Sequence, residues 1–270
     1  MNKLYLILVI LFCGATLHAQ TFTGIVQTTD GKPIAYTNIG VVKKGIGTTS
    51  DEKGRYSLAL DKFYGNDSLR FSCIGYQSLN IKVSDFMMKH PTVIYLKEIK
   101  YLLNEVVVSV NSFKDILLGY TAESHLIQAG FTENRLGYEC GVLLKVKKRT
   151  KIMRVNLNVA TCTYDSVMYR VNVYEQKGKL DFVNILTKPI YIKFTKAMIN
   201  KTLSFDISAE NVWINSNGLI TIEHVKNMGK GQLTFCGVFP GTVCHRKTSQ
   251  AIWETTPVGV GVFVDAKQIK

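Results

Sequence analysis

Apolar residues in this chain recur at every second position in short runs, and long runs with helical spacing are missing. A period of two puts a whole run on one side of a pleated strand, so the repeat selects β-structure over helix. Phe22, Gly24 and Val26 share one such face, as do Ile39 and Val41, and Tyr56, Leu58 and Leu60. Leu79, Ile81 and Val83 follow, then Ile94 and Leu96. Turn chemistry separates these runs. Asp30-Gly31 is a hairpin signal, and Lys32-Pro33 favours an extended exit from it. Asp51-Glu-Lys-Gly54 starts with an Asx residue and ends with a glycine that tolerates positive φ. Strands of this length and spacing predict a sandwich of roughly 75 residues.

The same texture resumes from about Tyr120. Val142, Leu144 and Val146 alternate, as do Met153, Val155, Leu157 and Val159, then Tyr169, Val171 and Val173. Further runs include Ile190, Ile192 and Phe194; Leu203, Phe205 and Ile207; Ile220 and Ile222; and Val258, Val260, Val262 and Val264. Eight or more strands are expected there, enough for a jelly-roll-like two-sheet sandwich of about 150 residues. The expected fold class is all-β.

The first twenty residues have a different character. Lys3 gives a positive start, Leu4 to Phe12 is unbroken apolar, and Gly14 to Ala19 turns smaller. That order is the pattern of a secretory signal, with cleavage expected after Ala19. The apolar run is shorter than the roughly 20 residues a permanent spanning helix needs, and no later run reaches that length. Cys13 follows the bulky Phe12, where lipoprotein processing would want a small residue. The expected divisions are a signal over 1–19, a first sandwich over 20–97, a strand and linker over 98–119, and a second sandwich over 120–270.

Within the first sandwich, several segments stand in a recognisable order. They are Gly24-Ile-Val, Asp30-Gly-Lys-Pro-Ile34, Asn38-Ile, Gly47-Thr-Thr-Ser-Asp51, Gly54-Arg-Tyr-Ser-Leu58, Asp67-Ser-Leu and Phe71-Ser-Cys-Ile-Gly-Tyr76. Together they resemble the carboxypeptidase regulatory-like domain, in the version common in exported proteins of Bacteroidetes-type bacteria. The resemblance covers residues 21 to about 97 and implies a seven-stranded, transthyretin-like Greek-key sandwich. It brings no active site with it, because the zinc and catalytic residues of carboxypeptidases belong to a separate domain. Leu102-Leu-Asn-Glu-Val-Val-Val-Ser109 is similar to a segment that follows this domain in outer-membrane TonB-dependent receptors. About 160 residues follow it here, too few for a 22-stranded barrel, so such a receptor is not expected. The Val-rich run is expected to add a last strand and lead into a linker around Asn111 to Gly119. Tyr169-Arg-Val-Asn-Val-Tyr174, Asn184-Ile-Leu and Phe205-Asp-Ile-Ser208 loosely resemble domains found behind the regulatory-like module in such exported proteins.

The formal charge of +13 invites acidic partners. Its densest clusters, Lys145 to Arg149 with Lys151 and the pair Lys43-Lys44, read as hairpin tips or solvated strand faces. No nucleic-acid motif accompanies them, so nucleic acid is not an expected partner. Five cysteines remain after Cys13: Cys73, Cys140, Cys162, Cys236 and Cys244. An odd number leaves at least one free thiol, and a bridge between Cys236 and Cys244 across a plausible hairpin loop is geometrically possible. Cys73 shares a face with Leu69 and Phe71 and reads as a small buried hydrophobe. No zinc-ligand spacing is present, and no cofactor is expected.

Chemistry is sparse. There is no Gly-x-Ser-x-Gly elbow, His-Glu-x-x-His pair or phosphate-cradling loop. Glu223-His224 is the strongest local pair, but neighbours on a strand point to opposite faces and cannot easily share a substrate. Sugar binding has more to offer, since exposed rings stack against sugar CH groups. Trp213, Trp253 and Tyr164 each have polar neighbours and are the candidate ligand-binding residues. Trp213 alternates with Val212 and Ile214, so it is expected to face outward. The expectation is an exported, non-enzymatic adaptor or binding protein in the periplasm, at the outer membrane or in the medium. Its partner would be an envelope protein. The alternative is a glycan-binding module that uses the exposed rings.

Overall fold

The structure is a computed structural model that describes residues 19–99, 113–199 and 201–270. Most of the expected signal and the Val-rich run Leu102 to Ser109 lie outside the described residues. The chain is all-β apart from short helical turns and one seven-residue helix.

The first part contains β1 (Gln20–Gln27), β2 (Asn38–Val41), β3 (Gly47–Thr49), β4 (Arg55–Leu60), β5 (Ser68–Ser72) and β6 (Leu79–Lys82). Helix α1 (Val83–Lys89) and β7 (Val93–Tyr95) complete it. The seven strands form two sheets, ordered β4-β1-β7 and β3-β2-β5-β6. Alternation sets the inner faces: Tyr56, Leu58 and Leu60 are buried along β4, with exposed residues between them. They meet Phe22, Val26, Ile39, Leu69 and Phe71 in one core. Helix α1, which strand periodicity gave no reason to expect, adds Val83 and Phe86 to that core. The predicted turns have their expected chemistry. Asp51 Oδ1 accepts hydrogen bonds from the backbone N–H groups of Lys53 and Arg55, each at 2.8 Å. Gly54 closes that turn at φ +74°.

The second part begins with β8 (Phe113–Gly119), β9 (Gln128–Phe131), β10 (Glu139–Leu144), β11 (Thr150–Leu157) and β12 (Val159–Cys162). It continues through β13 (Ser166–Gly178), β14 (Asp181–Asn184), β15 (Ile190–Thr195), β16 (Leu203–Asp206) and β17 (Trp213–Ile214). The last strands are β18 (Gly218–Glu223), β19 (Leu233–Val238), β20 (Val243–Arg246), β21 (Glu254–Thr256), β22 (Gly259–Val260) and β23 (Val262–Ile269). Three sheets result, where two were expected. The largest runs β14-β13-β18-β10-β20-β21, with β15 also paired to β13. The second runs β16-β11-β23-β8 with β17 on β11, and the third runs β12-β19-β22 with β9 on β19. Strand β8 lies in the segment read as strand and linker, yet it pairs antiparallel with β23 along its full length. The Lys145–Arg149 segment connects two sheets rather than closing a hairpin, because β10 and β11 have different partners. Lys43 and Lys44 do sit at the tip of the β2–β3 hairpin.

The second core gathers Val142, Leu144, Val155, Tyr169, Val171, Ile220 and Ile222 among others. Strand β13 departs from simple alternation, since residues 167–174 are buried without interruption. One face of its sheet covers this core. The other lies under the first sandwich.

Among the described residues, no helix is long and apolar enough to cross a membrane. Cys73, Cys140, Cys162, Cys236 and Cys244 are all free thiols. The possible Cys236–Cys244 bridge is not formed, since these residues sit on β19 and β20 in different sheets.

Candidate functional site

The polar face of the large sheet carries a row of charges held by strand register. Arg170 on β13 lies opposite Glu223 on β18, which lies opposite Glu139 on β10, which lies opposite Arg246 on β20. Residues directly across a sheet share a face, so the row reads plus, minus, minus, plus across four neighbouring strands. Two residues along β13, Asn172 and then Tyr174 repeat on the same face.

The row is buried and closely bonded. Side-chain exposure is 2% for Arg170 and 0% for Glu223 and Glu139, with Arg246 at 11%. Arg170 donates to Glu223 Oε2 from Nε at 3.0 Å and from Nη2 at 2.7 Å. Arg246 donates from Nε to Glu139 Oε2 at 2.7 Å. Asn172 Nδ2 bridges the two carboxylates, donating to Glu223 Oε2 at 2.6 Å and to Glu139 Oε1 at 2.9 Å. The Tyr174 hydroxyl donates to Glu139 Oε1 at 2.8 Å, and Thr221 donates to the same oxygen. Two acids in adjacent register would repel in isolation; the flanking arginines and the bridging amide make the row tolerable.

Titration behaviour follows this geometry. Burial opposes ionisation of Glu223, but Arg170 and Arg246 prevail and hold its carboxyl below the ordinary value. Burial pushes Glu139 the other way, above its ordinary value, against the pull of Arg246 and with the Glu223 charge adding to the rise. Burial also raises the Tyr174 hydroxyl well above the usual tyrosine range, and the Glu139 charge adds to that.

Arg170 also reaches out of its own sheet. Its Nη1 donates to the Tyr36 carbonyl at 2.7 Å and its Nη2 to Asn38 Oδ1 at 2.6 Å, both in the first sandwich. Tyr36 has φ +55°, an uncommon left-handed conformation for a bulky residue. Its ring packs edge-on to Tyr191 with centroids 5.4 Å apart, and Met168 and Val225 complete that apolar contact. Nearby, Thr49 Oγ1 donates to the Val225 carbonyl at 2.9 Å, and Lys43 N–H to the Gln250 carbonyl at 2.8 Å. Gln250 Nε2 donates to Ser72 Oγ at 2.8 Å, and Lys226 pairs with Glu52. Gly40 and Gly47 let β2 and β3 lie against the 248–250 segment; a Cβ at either would collide with the Ser249 carbonyl.

Beside this junction is a cleft of about 380 Å³. Its lining includes Arg70, Tyr76 and Ser78 from the first sandwich and Arg170, Arg246 and Asn184 from the second part. A larger groove, about 1440 Å³, runs along β15 and β16. Its charged residues Glu52, Lys193, Asp206, Glu210 and Lys226 are mostly exposed and of mixed sign, so the smaller cleft is the better-defined site.

The three residues singled out from sequence do not come together. Tyr164 is buried in the second core, against the backbone at Gly231. Trp253 is buried between Tyr174 and Phe182, with the Arg246 guanidinium 5.0 Å from its ring centre. Neither presents an open ring face. Trp213 is half-buried and Val212 and Ile214 are buried, which is the alternation expected. Its indole N–H donates to Asn211 Oδ1, and Arg149 stacks 4.6 Å from its ring centre. Glu223 and His224 do point to opposite faces. His224 packs beside Phe131 and Tyr169 on the core side.

Sequence reading missed Arg170, Glu139, Asn172 and Arg246. Arg170 and Asn172 alternate with Tyr169, Val171 and Val173, which ordinarily marks a solvated face. Only the three-residue polar series Arg170, Asn172, Tyr174 opposite Thr221 and Glu223 could have flagged a polar layer. Among the described residues, no group of three or more His, Cys, Asp or Glu is placed to hold a metal ion.

Residues 22–108 match the family model of the CarboxypepD_reg-like domain, in agreement with the motifs of this segment. No curated protein matches the chain.

Proposed function

We propose that this chain, one third of which is a CarboxypepD_reg-like domain, is an exported, non-enzymatic binding protein of the cell envelope. In this reading the regulatory-like sandwich is a fixed scaffold and forms one wall of the binding cleft. The observation that carries it is Arg170, which is fully buried and bonded at once to Glu223 in its own sheet and to Tyr36 and Asn38 in the sandwich. A junction made this way positions two walls without hinge motion. The same bonding argues for binding over catalysis, since Glu139 and Glu223 are held by arginines and amides rather than poised to move a proton. Export rests on the charged, apolar and small-residue order of the first nineteen residues. Nothing in the surroundings of Trp213, Trp253 and Tyr164 favours the sugar-platform alternative.

A photo-crosslinking residue in place of Val183, exposed beside the cleft, tests the reading in cells that produce the chain. The same residue in place of Leu117, exposed on β8 away from the cleft, is the comparison. A discrete envelope adduct from Val183 and none from Leu117 is expected. Equal labelling from both, or chain retained in the cytoplasm with residues 1–19 attached, contradicts it.

A further inference from the structure

The cleft has a chemical bias that its general role as a binding place does not require. Among the described residues, three arginines line it, Arg70, Arg170 and Arg246, and no acidic side chain does. Arg170 and Arg246 are balanced by Glu223 and Glu139 directly behind them. Arg70 is different. Its Nε is buried without a hydrogen-bond partner, and it forms no ion pair among the described residues. Arg246 uses Nε and Nη2 on Glu139, and its Nη1 makes no hydrogen bond among the described residues. The buried Arg70 N–H without an acceptor is costly, and an anion seated on this guanidinium would offset that cost.

The remaining lining narrows the class. Ser78, Tyr76 and Asn184 offer hydroxyl and amide groups, while Phe182 and Val183 provide an apolar wall. The volume of about 380 Å³ lies at the small end for ligand pockets. One unbalanced guanidinium matches one negative charge, and its planar fork matches a carboxylate geometrically.

We propose that the cleft binds a small ligand bearing a single carboxylate with neighbouring hydroxyl or amide groups, and that Arg70 receives the carboxylate. The proposal deepens the binding-protein reading and rests on it. An acidic sugar and a peptide C-terminus both carry this chemistry, so titration calorimetry on the chain without residues 1–19 should use both. D-glucuronate is compared with D-glucose, and N-acetyl-Ala-Ala with its C-terminal amide. At least one acid should bind about tenfold or more tightly than its neutral counterpart, as expected of a charge-assisted hydrogen bond. The preferred acid identifies the source. Arg70→Met should abolish the preference without lowering the thermal midpoint, since the Arg70 side chain bonds to nothing among the described residues and its unpaired N–H is lost with the substitution. The proposal is overturned by no acid binding, by equal binding of acid and neutral forms, or by a preference that survives Arg70→Met. If adducts still form from Val183 in that event, the carboxylate alone is wrong and the cleft remains the binding place; if they are also absent, both fail.

Discussion

At the level of single residues, burial decides which side chains matter and strand parity decides how. His224 and Glu223 are neighbours with opposite fates: one enters an apolar core, the other a charged row. The His224 ring is bonded at one nitrogen, with Nε2 2.9 Å from the Lys226 carbonyl, and its Nδ1 is buried without a partner. Burial therefore depresses its pKa from 6.5 to about 4. A folded-state value below the unfolded one means that the folded chain binds fewer protons in this window. The stabilisation is complete above pH 6.5 and is lost as pH falls toward 4, by about 3 kcal/mol in total. Glu223, held low, adds its own loss at still lower pH, and Glu139, held high, works in the opposite direction. Urea unfolding of the unmodified chain and of His224→Gln isolates the histidine. The difference in stability between them should shrink steadily from pH 6.5 to 4.5; a constant difference would mean His224 does not titrate as a buried neutral ring.

At the level of elements, most strands were legible because period-two alternation survives wherever one face is covered and the other is wet. Strand β4 is the clear case, with Tyr56, Leu58 and Leu60 inward and charged or small residues between. Strand β13 shows where that logic ends. Its Arg170 and Asn172 have the pattern of a solvated face, but a second module covers that face, and the covering surface lies some 130 residues away in sequence. Local pattern holds no information about such a partner. The β2–β3 hairpin, which provides the covering surface, depends on the absence of side chains at its contact. Gly47→Ala places a Cβ against the rigid Ser249 carbonyl and should cost about 1–3 kcal/mol by overpacking. Gly45→Ala, on the same hairpin with open space around it, should stay within about 0.5 kcal/mol. Equal effects in thermal or urea unfolding would show that the hairpin does not rest on the 248–250 segment.

For the whole molecule, the two apolar cores are distinct, and they are joined by the polar row together with a small apolar cluster around Tyr36. The regulatory-like identity of the first part was readable from its turns and glycines. The junction was not, because its members, Tyr36, Asn38, Arg170, Glu223, Glu139 and Arg246, come from distant stretches and have no shared motif. Their joint burial still carries consequences. Separating the sandwich from the sheet strips Arg170 of two neutral acceptors and opens the contact of Tyr36 with Tyr191, Met168 and Val225, so separation is opposed by the loss of both. The two parts should therefore lose structure together. Scanning calorimetry of the chain without residues 1–19 measures this most directly. The account predicts one transition whose calorimetric and van't Hoff enthalpies agree; two resolved transitions, one for each core, would contradict it.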